Sequence, residues 1–141
     1  MKISFKVDGE LQSLETVLKY FDQLDRAGIA RKDWLQCQLA LAEGFTNAVR
    51  HAHKNLPPEI PIEIEIELTP DGMDLRIFDH GPSFDLEKYL RENLAPDALR
   101  SGRGQGIPIL RKIATHLAYQ RTPDDRNCLS IVKSFTPPAG R

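Results

Sequence analysis

The chain has 141 residues and carries nineteen Lys and Arg against twenty Asp and Glu, a formal charge of −1. That length fits one domain, 1–141, able to bury a real core, and the balanced charge argues against a whole-protein field that attracts nucleic acid. No stretch approaches the roughly 20 apolar residues of a membrane span. Met1-Lys-Ile-Ser-Phe-Lys-Val-Asp8 lacks the apolar run of a signal peptide, so a soluble, cytoplasmic protein is expected. Cys37 and Cys128 have no metal-site or redox-pair spacing and are read as reduced, packed side chains.

Ile3, Phe5 and Val7 alternate with Lys2, Ser4 and Lys6, which predicts a strand with one buried face. Leu14, Val17, Leu18, Phe21 and Leu24 recur at helical spacing, which predicts a helix over 11–27 that Gly28 stops. A second helix is expected from near Asp33, acting as its cap, to about His53. Its buried stripe would be Leu35, Leu39, Ala42, Phe45 and Val49. After a loop with three prolines, Ile62, Ile64, Ile66 and Leu68 alternate with Glu63, Glu65 and Glu67, a strand with one wet face. Thr69-Pro-Asp-Gly72 is turn chemistry, with Gly72 expected at positive φ, and Met73, Leu75 and Ile77 make the return strand.

Residues 86–101 show weak periodicity broken by Pro96 and read as a mobile segment with a helical turn or two. A final helix is expected over 105–118, burying Ile109, Leu110, Ile113 and Leu117, with Pro108 in its first turn. A last strand follows over 128–135, then a frayed tail. The expected order is β-α-α-β-β-lid-α-β, an α/β (α+β) two-layer sandwich whose helices cover one face of a mostly antiparallel sheet.

Three segments carry chemistry. Glu43 and Asn47 stand four residues apart in the second helix, which stacks a carboxylate and a carboxamide on one face, and His51 extends that stripe. Asn47 offers an oxygen to Mg²⁺, and Glu43 can orient or deprotonate an attacking hydroxyl or water. Arg50, His51 and Lys54 are candidates for phosphate charge, with a solvated helix end preferred for Lys54. Asp79 ends a strand in Asp79-His-Gly-Pro-Ser-Phe-Asp85, where its carboxylate can accept from an exocyclic amine such as that of adenine. Gly81, lacking Cβ, would let a flat ring approach. Gly102-Arg-Gly-Gln-Gly106 precedes a helix, where free amides attract phosphate and Arg103 adds charge. Taken singly, the latter two also read as a plain turn and a glycine hinge.

Together, and in this order, the three resemble the boxes of the GHKL ATPase superfamily, to which DNA gyrase B, MutL and histidine kinases belong. Glu43-Gly-Phe-Thr-Asn47-Ala-Val-Arg-His51 is similar to the N-box, Asp79-His-Gly81 to the G1 box, and Gly102-Arg-Gly-Gln-Gly106 to the G2 box. The small size and the Asp-His-Gly-x-Ser-Phe-Asp sequence most resemble the anti-sigma factor serine/threonine kinases of the RsbW and SpoIIAB type. The resemblance implies a Bergerat fold binding ATP and Mg²⁺, with Glu43 as catalytic base and Asn47 on the metal. It implies Asp79 and Gly81 at adenine, and Gly102, Arg103, Gly104, Gln105 and Gly106 around the phosphates, with His51 nearby. Ser130, in Cys128-Leu-Ser-Ile-Val132, is matched to the family's last motif. Arg50-His-Ala-His53 and Gln105 depart from the family pattern without removing a ligand.

Implied partners are a STAS-domain anti-anti-sigma protein, a sigma factor or other regulatory protein, and a second copy in a homodimer. Neither nucleic acid nor membrane is expected. A nucleotide-dependent binding switch without phosphotransfer stands as the alternative. The catalytic half of a histidine kinase ranks last, for lack of a helical hairpin carrying a phosphoacceptor histidine.

Overall fold

The computed structural model describes residues 1–83 and 106–136. The expected lid, the tail and four residues of the glycine-rich loop (Gly102, Arg103, Gly104 and Gln105) lie outside that set.

Five strands form one sheet in the order β1-β2-β3-β5-β4. They are β1 (Lys2–Asp8), β2 (Pro61–Thr69), β3 (Gly72–Asp79), β4 (His116–Arg121) and β5 (Asn127–Ser134), and every neighbouring pair is antiparallel. Among the described residues the α-helices are α1 (Leu14–Asp22), α2 (Arg31–Asn47) and α3 (Gly106–Ile113). The two-layer sandwich expected from the sequence is therefore the architecture. Period-two alternation explains the inner face: Ile62, Ile64 and Ile66 of β2, Met73, Leu75 and Ile77 of β3, and Leu129 and Ile131 of β5 are buried. Each such side chain contributes roughly 1.5–3 kcal/mol relative to an exposed one. The outer face carries the charges, with Arg126 bonded to Glu63 at 2.7 Å and lying 4.5 Å above the Phe78 ring.

The second helix rolls differently from the expected stripe. Trp34, Cys37, Ala40, Leu41, Gly44, Phe45 and Ala48 face the core, whereas Leu35 and Leu39 are 45% and 43% exposed. Only Phe45 of the expected stripe is buried; Ala42 and Val49 are half-buried. The choice of face follows packing: Trp34 lies against Phe21 of α1, with ring centroids 4.6 Å apart. Two interleaved apolar stripes existed in the sequence, and tertiary contact chose the other one. Asp33 is not the cap either, because α2 begins at Arg31 after Ala30. Its buried carboxylate accepts instead from Thr136 N at 2.7 Å and Thr136 Oγ1 at 3.2 Å, tying the end of the sheet to the helix start.

Three further expectations are corrected. The first helix stops at Asp22, where the chain turns; Asp25 Oδ1 accepts from Ala27 N at 2.9 Å, a local bond that competes with helix. Gly28 does take a φ of 81°, but in the turn beyond that stop. At Gly72 no positive φ is needed: a Cβ there would lie 2.6 Å from the Lys133 carbonyl oxygen, so close strand approach is what glycine permits. The last helix ends at Ile113, and residues expected at its end form β4. Thr115 N donates to Val132 O at 2.7 Å, and Leu117 and Tyr119 alternate with His116 and Gln120 along β5. Pro108 does sit in the first turn of α3.

Burial pushes the Cys37 thiol up to about 12 and the Cys128 thiol to about 11, so both are packed, unreactive side chains. Among the described residues, no helix is long and apolar enough to cross a membrane.

Candidate nucleotide site

Asp79, at the end of β3, is the centre of a buried polar cluster. Antiparallel register sets Asn127, the first residue of β5, directly opposite it. Asp79 Oδ1 accepts from Gly81 N at 2.8 Å and from Asn127 Nδ2 at 2.9 Å, and Oδ2 accepts from the Tyr119 hydroxyl. Asp79 and Asn127 are each only 1% exposed. Such a carboxylate stays buried because its oxygens are satisfied. Burial, then the Asp79 charge and its hydrogen bond, push the Tyr119 phenol upward, so it remains a protonated donor.

The loop after Asp79 is held by the same strands. Asn127 Nδ2 also donates to Gly81 O at 3.1 Å and Pro82 O at 3.0 Å, and Arg121 Nη1 donates to Gly81 O at 2.9 Å. Gly81 is required for a second reason besides ring approach. A Cβ on it would stand 2.7 Å from Ala52 O and 2.8 Å from Ala52 Cβ, so its first role is to let this loop pack on the end of the α2 segment.

That end is a π-turn, Ala48–Ala52, in which His53 N donates to Ala48 O at 2.8 Å. The additional residue moves the next buried position from 52 to 53: His53 is 3% exposed and Ala52 half-buried. His51 lies within this π-turn and is exposed. His53 takes up the link to the Asp79 loop, its Nε2 accepting from His80 N at 2.9 Å. Desolvation lowers its pKa against the opposing pull of Asp79, which favours the neutral ring with the proton on Nδ1.

Glu43 and Asn47 are half-buried on the side of α2 turned from the core, and among the described residues no side chain pairs with either. Among the described residues there is no cluster of three or more His, Cys, Asp or Glu that could hold a metal ion. Gly106 opens α3, which packs against α2. Ser130 is not brought to the Asp79 cluster. It pairs with Arg76, an odd number of residues from Asn127, so its side chain points to the opposite face of the sheet.

Asn127, Tyr119 and Arg121 are the residues that the sequence reading missed. A signal for them existed: alternation over His116–Arg121, followed by the turn residues Thr122-Pro-Asp-Asp125, marks a hairpin. The cluster can do one thing well. It fixes a carboxylate acceptor in one orientation, with one position on Oδ2 beside the Tyr119 hydroxyl for a further hydrogen-bond donor.

Comparison with known proteins places this geometry. Residues 7–133 match the family described as histidine kinase-like ATPase domain. The serine-protein kinase RsbW of Staphylococcus aureus is 30% identical over 105 residues, covering 70% of this chain and 65% of that protein. RsbW of Listeria innocua is 34% identical over 67 residues, covering 48% and 42%. The chain thus spans less than two thirds of these relatives. Two solved structures share the fold. The RsbU and RsbW domains of Rv1364c from Mycobacterium tuberculosis give a TM-score of 0.67 at 14% identity over 99% of this chain and 34% of that one. The SiaB–SiaC complex from Pseudomonas aeruginosa gives 0.64 at 15% identity over 94% and 89%.

Proposed function

We propose, from the premise that this chain belongs to the histidine kinase-like ATPase family, that it binds Mg-ATP and transfers the γ-phosphate to a serine or threonine of a small STAS-domain antagonist, as an anti-sigma-type regulator that switches partners. The observation that carries the nucleotide reading is Asp79: a buried carboxylate whose Oδ1 is filled by two fold-internal donors and whose Oδ2 takes one, the Tyr119 hydroxyl, which leaves one acceptor position on Oδ2. An acceptor-only edge favours the exocyclic amine of adenine over the carbonyl of guanine. The curated relatives named serine-protein kinase support the phosphotransfer half. The solved SiaB–SiaC complex supports a protein partner.

Asn47 would hold Mg²⁺ with phosphate oxygens, and the ion, when bound, neutralises charge on the transferring phosphoryl group. Glu43, one turn earlier, is the proposed base that accepts the proton of the attacking hydroxyl. Arg103 and the amides of Gly102, Gly104, Gln105 and Gly106 are the proposed phosphate contacts. A homodimer in the cytoplasm is part of this proposal.

Glu43→Ala tests it. With Mg-ATP and the cognate STAS protein, the variant should lose phosphotransfer by two to four orders of magnitude, roughly what a positioned base contributes. Its ATP affinity should stay within about threefold. Equal transfer by the variant would remove Glu43 from the mechanism. A second reading, a nucleotide-dependent switch without phosphotransfer, draws on Glu43 and Asn47 having no side-chain partner among the described residues. ATP-dependent complex formation with no labelled partner would establish it.

A further inference from the structure

We propose that His53 is a positioning residue for the loop that follows Asp79, and that protonation of its ring weakens nucleotide binding. The inference rests on the nucleotide-site reading of Asp79 given above. Two groups that do not titrate near neutral pH tie this loop to the sheet. Arg121 Nη1 donates to Gly81 O at 2.9 Å, and Asn127 Nδ2 donates to Gly81 O at 3.1 Å and Pro82 O at 3.0 Å. On the helical side, among the described residues, the loop has one hydrogen bond, from His80 N to His53 Nε2 at 2.9 Å. That bond fixes the backbone between Asp79 and Gly81, whose amide donates back to Asp79 Oδ1.

The ring can make this bond in one protonation state. A neutral imidazole offers one acceptor nitrogen, whereas the protonated ring carries N–H on both and accepts nothing. Protonation therefore sets an Nε2 N–H against the His80 N–H. The buried ring has little room to turn aside, because Gly9 after β1 comes so near that a Cβ there would lie 2.9 Å from Nδ1. Nδ1 has no hydrogen-bond partner among the described residues, so nothing there replaces the bond lost at Nε2. Asp79 and His80 are the titratable groups that act on the ring, the carboxylate favouring its charged form and His80 opposing it. Asp8, Glu10 and Glu59 on the segments beside it, and His51 and Lys54 on its own, all reach water at least in part.

Titration of the full chain with Mg-ATP at pH 7.5 compares wild type, His53→Gln and His53→Leu. Glutamine supplies an acceptor that does not titrate and should hold affinity within about threefold. Leucine leaves the His80 amide without its acceptor and should bind on the order of tenfold more weakly, because the nucleotide must then order the loop itself. The titration is repeated toward acid, with an NMR titration of the His53 ring giving its midpoint. Protonation of ATP and release of Mg²⁺ affect both chains alike and cancel in the ratio of wild-type to glutamine-variant Kd. That ratio should rise by about threefold or more as pH falls through the His53 midpoint. A ratio that stays constant down to acid unfolding overturns the proposal while sparing the nucleotide reading. So does a leucine variant that binds like wild type, or a glutamine variant as weak as leucine, which would assign His53 to packing alone. Absence of ATP binding by the wild type at pH 7.5 overturns the two together.

Discussion

The two walls of the candidate site are built to different standards. Around Asp79, one carboxylate collects donors from its own loop, from β4 and from β5, and Asp79 and Asn127 are buried. Along α2, Glu43 and Asn47 stand half-exposed with no described partner. The Asp79 wall is preorganised by the fold, while the α2 wall has no such network among the described residues.

The contrast is broken most directly by pairing Asp79→Ala with Asn47→Ala. Removing Asp79 strands the Gly81 amide, the Asn127 amide and the Tyr119 hydroxyl, and should cost about 3 kcal/mol in urea unfolding. Asn47→Ala should leave stability within about 0.5 kcal/mol, yet abolish the Mg²⁺ dependence of ATP binding. Similar stability losses in the two would show that both walls are structural.

Asn127→Ala against Ser130→Ala sharpens the comparison within one strand. The first leaves Asp79 Oδ1 and two carbonyls short of a donor and should cost about 1–3 kcal/mol. Ser130→Ala, on the far face, should change stability by less than about 0.5 kcal/mol and leave ATP affinity unaltered. The reverse ranking would restore Ser130 to the site.

The smallest effect is a pH dependence carried by His53. Burial lowers its pKa below the ordinary 6.5, so the folded state favours the neutral ring. Below that ordinary value the unfolded chain binds the extra proton more readily, so this stabilising contribution is complete above it and is lost as pH falls toward the folded pKa. Melting temperature should therefore fall from pH 7.5 to 5.0, and His53→Gln, which keeps an acceptor for the His80 amide, should flatten that slope. An unchanged slope would assign the acid sensitivity elsewhere.

Strictly local pattern was legible where one face of an element meets one environment. The alternation of Ile62 to Leu68 reports a sheet with one wet face whatever packs on the other, and β2 runs as read. Glu43, Asn47 and Asp79 were found because motif spacing is itself sequence. The roll of α2 was not legible, because Leu35 and Leu39 are as apolar as Trp34 and Cys37 and only contact with Phe21 and the sheet separates them. Leu117 satisfied a helical period and a strand period equally, and β5 captured it. Serine and asparagine three positions apart in β5 look alike as hydrogen-bonding residues until register assigns them to opposite faces.

By itself, then, the sequence determined the layers, the alternation and the ordered boxes, because these depend on neighbours a few residues apart. Tertiary structure alone decided what surrounds Asp79. Its partners Tyr119 and Asn127 lie 40 and 48 residues away in the chain. No local period encodes a hydrogen bond between them; that requires β4, β5 and β3 to be laid side by side in one register.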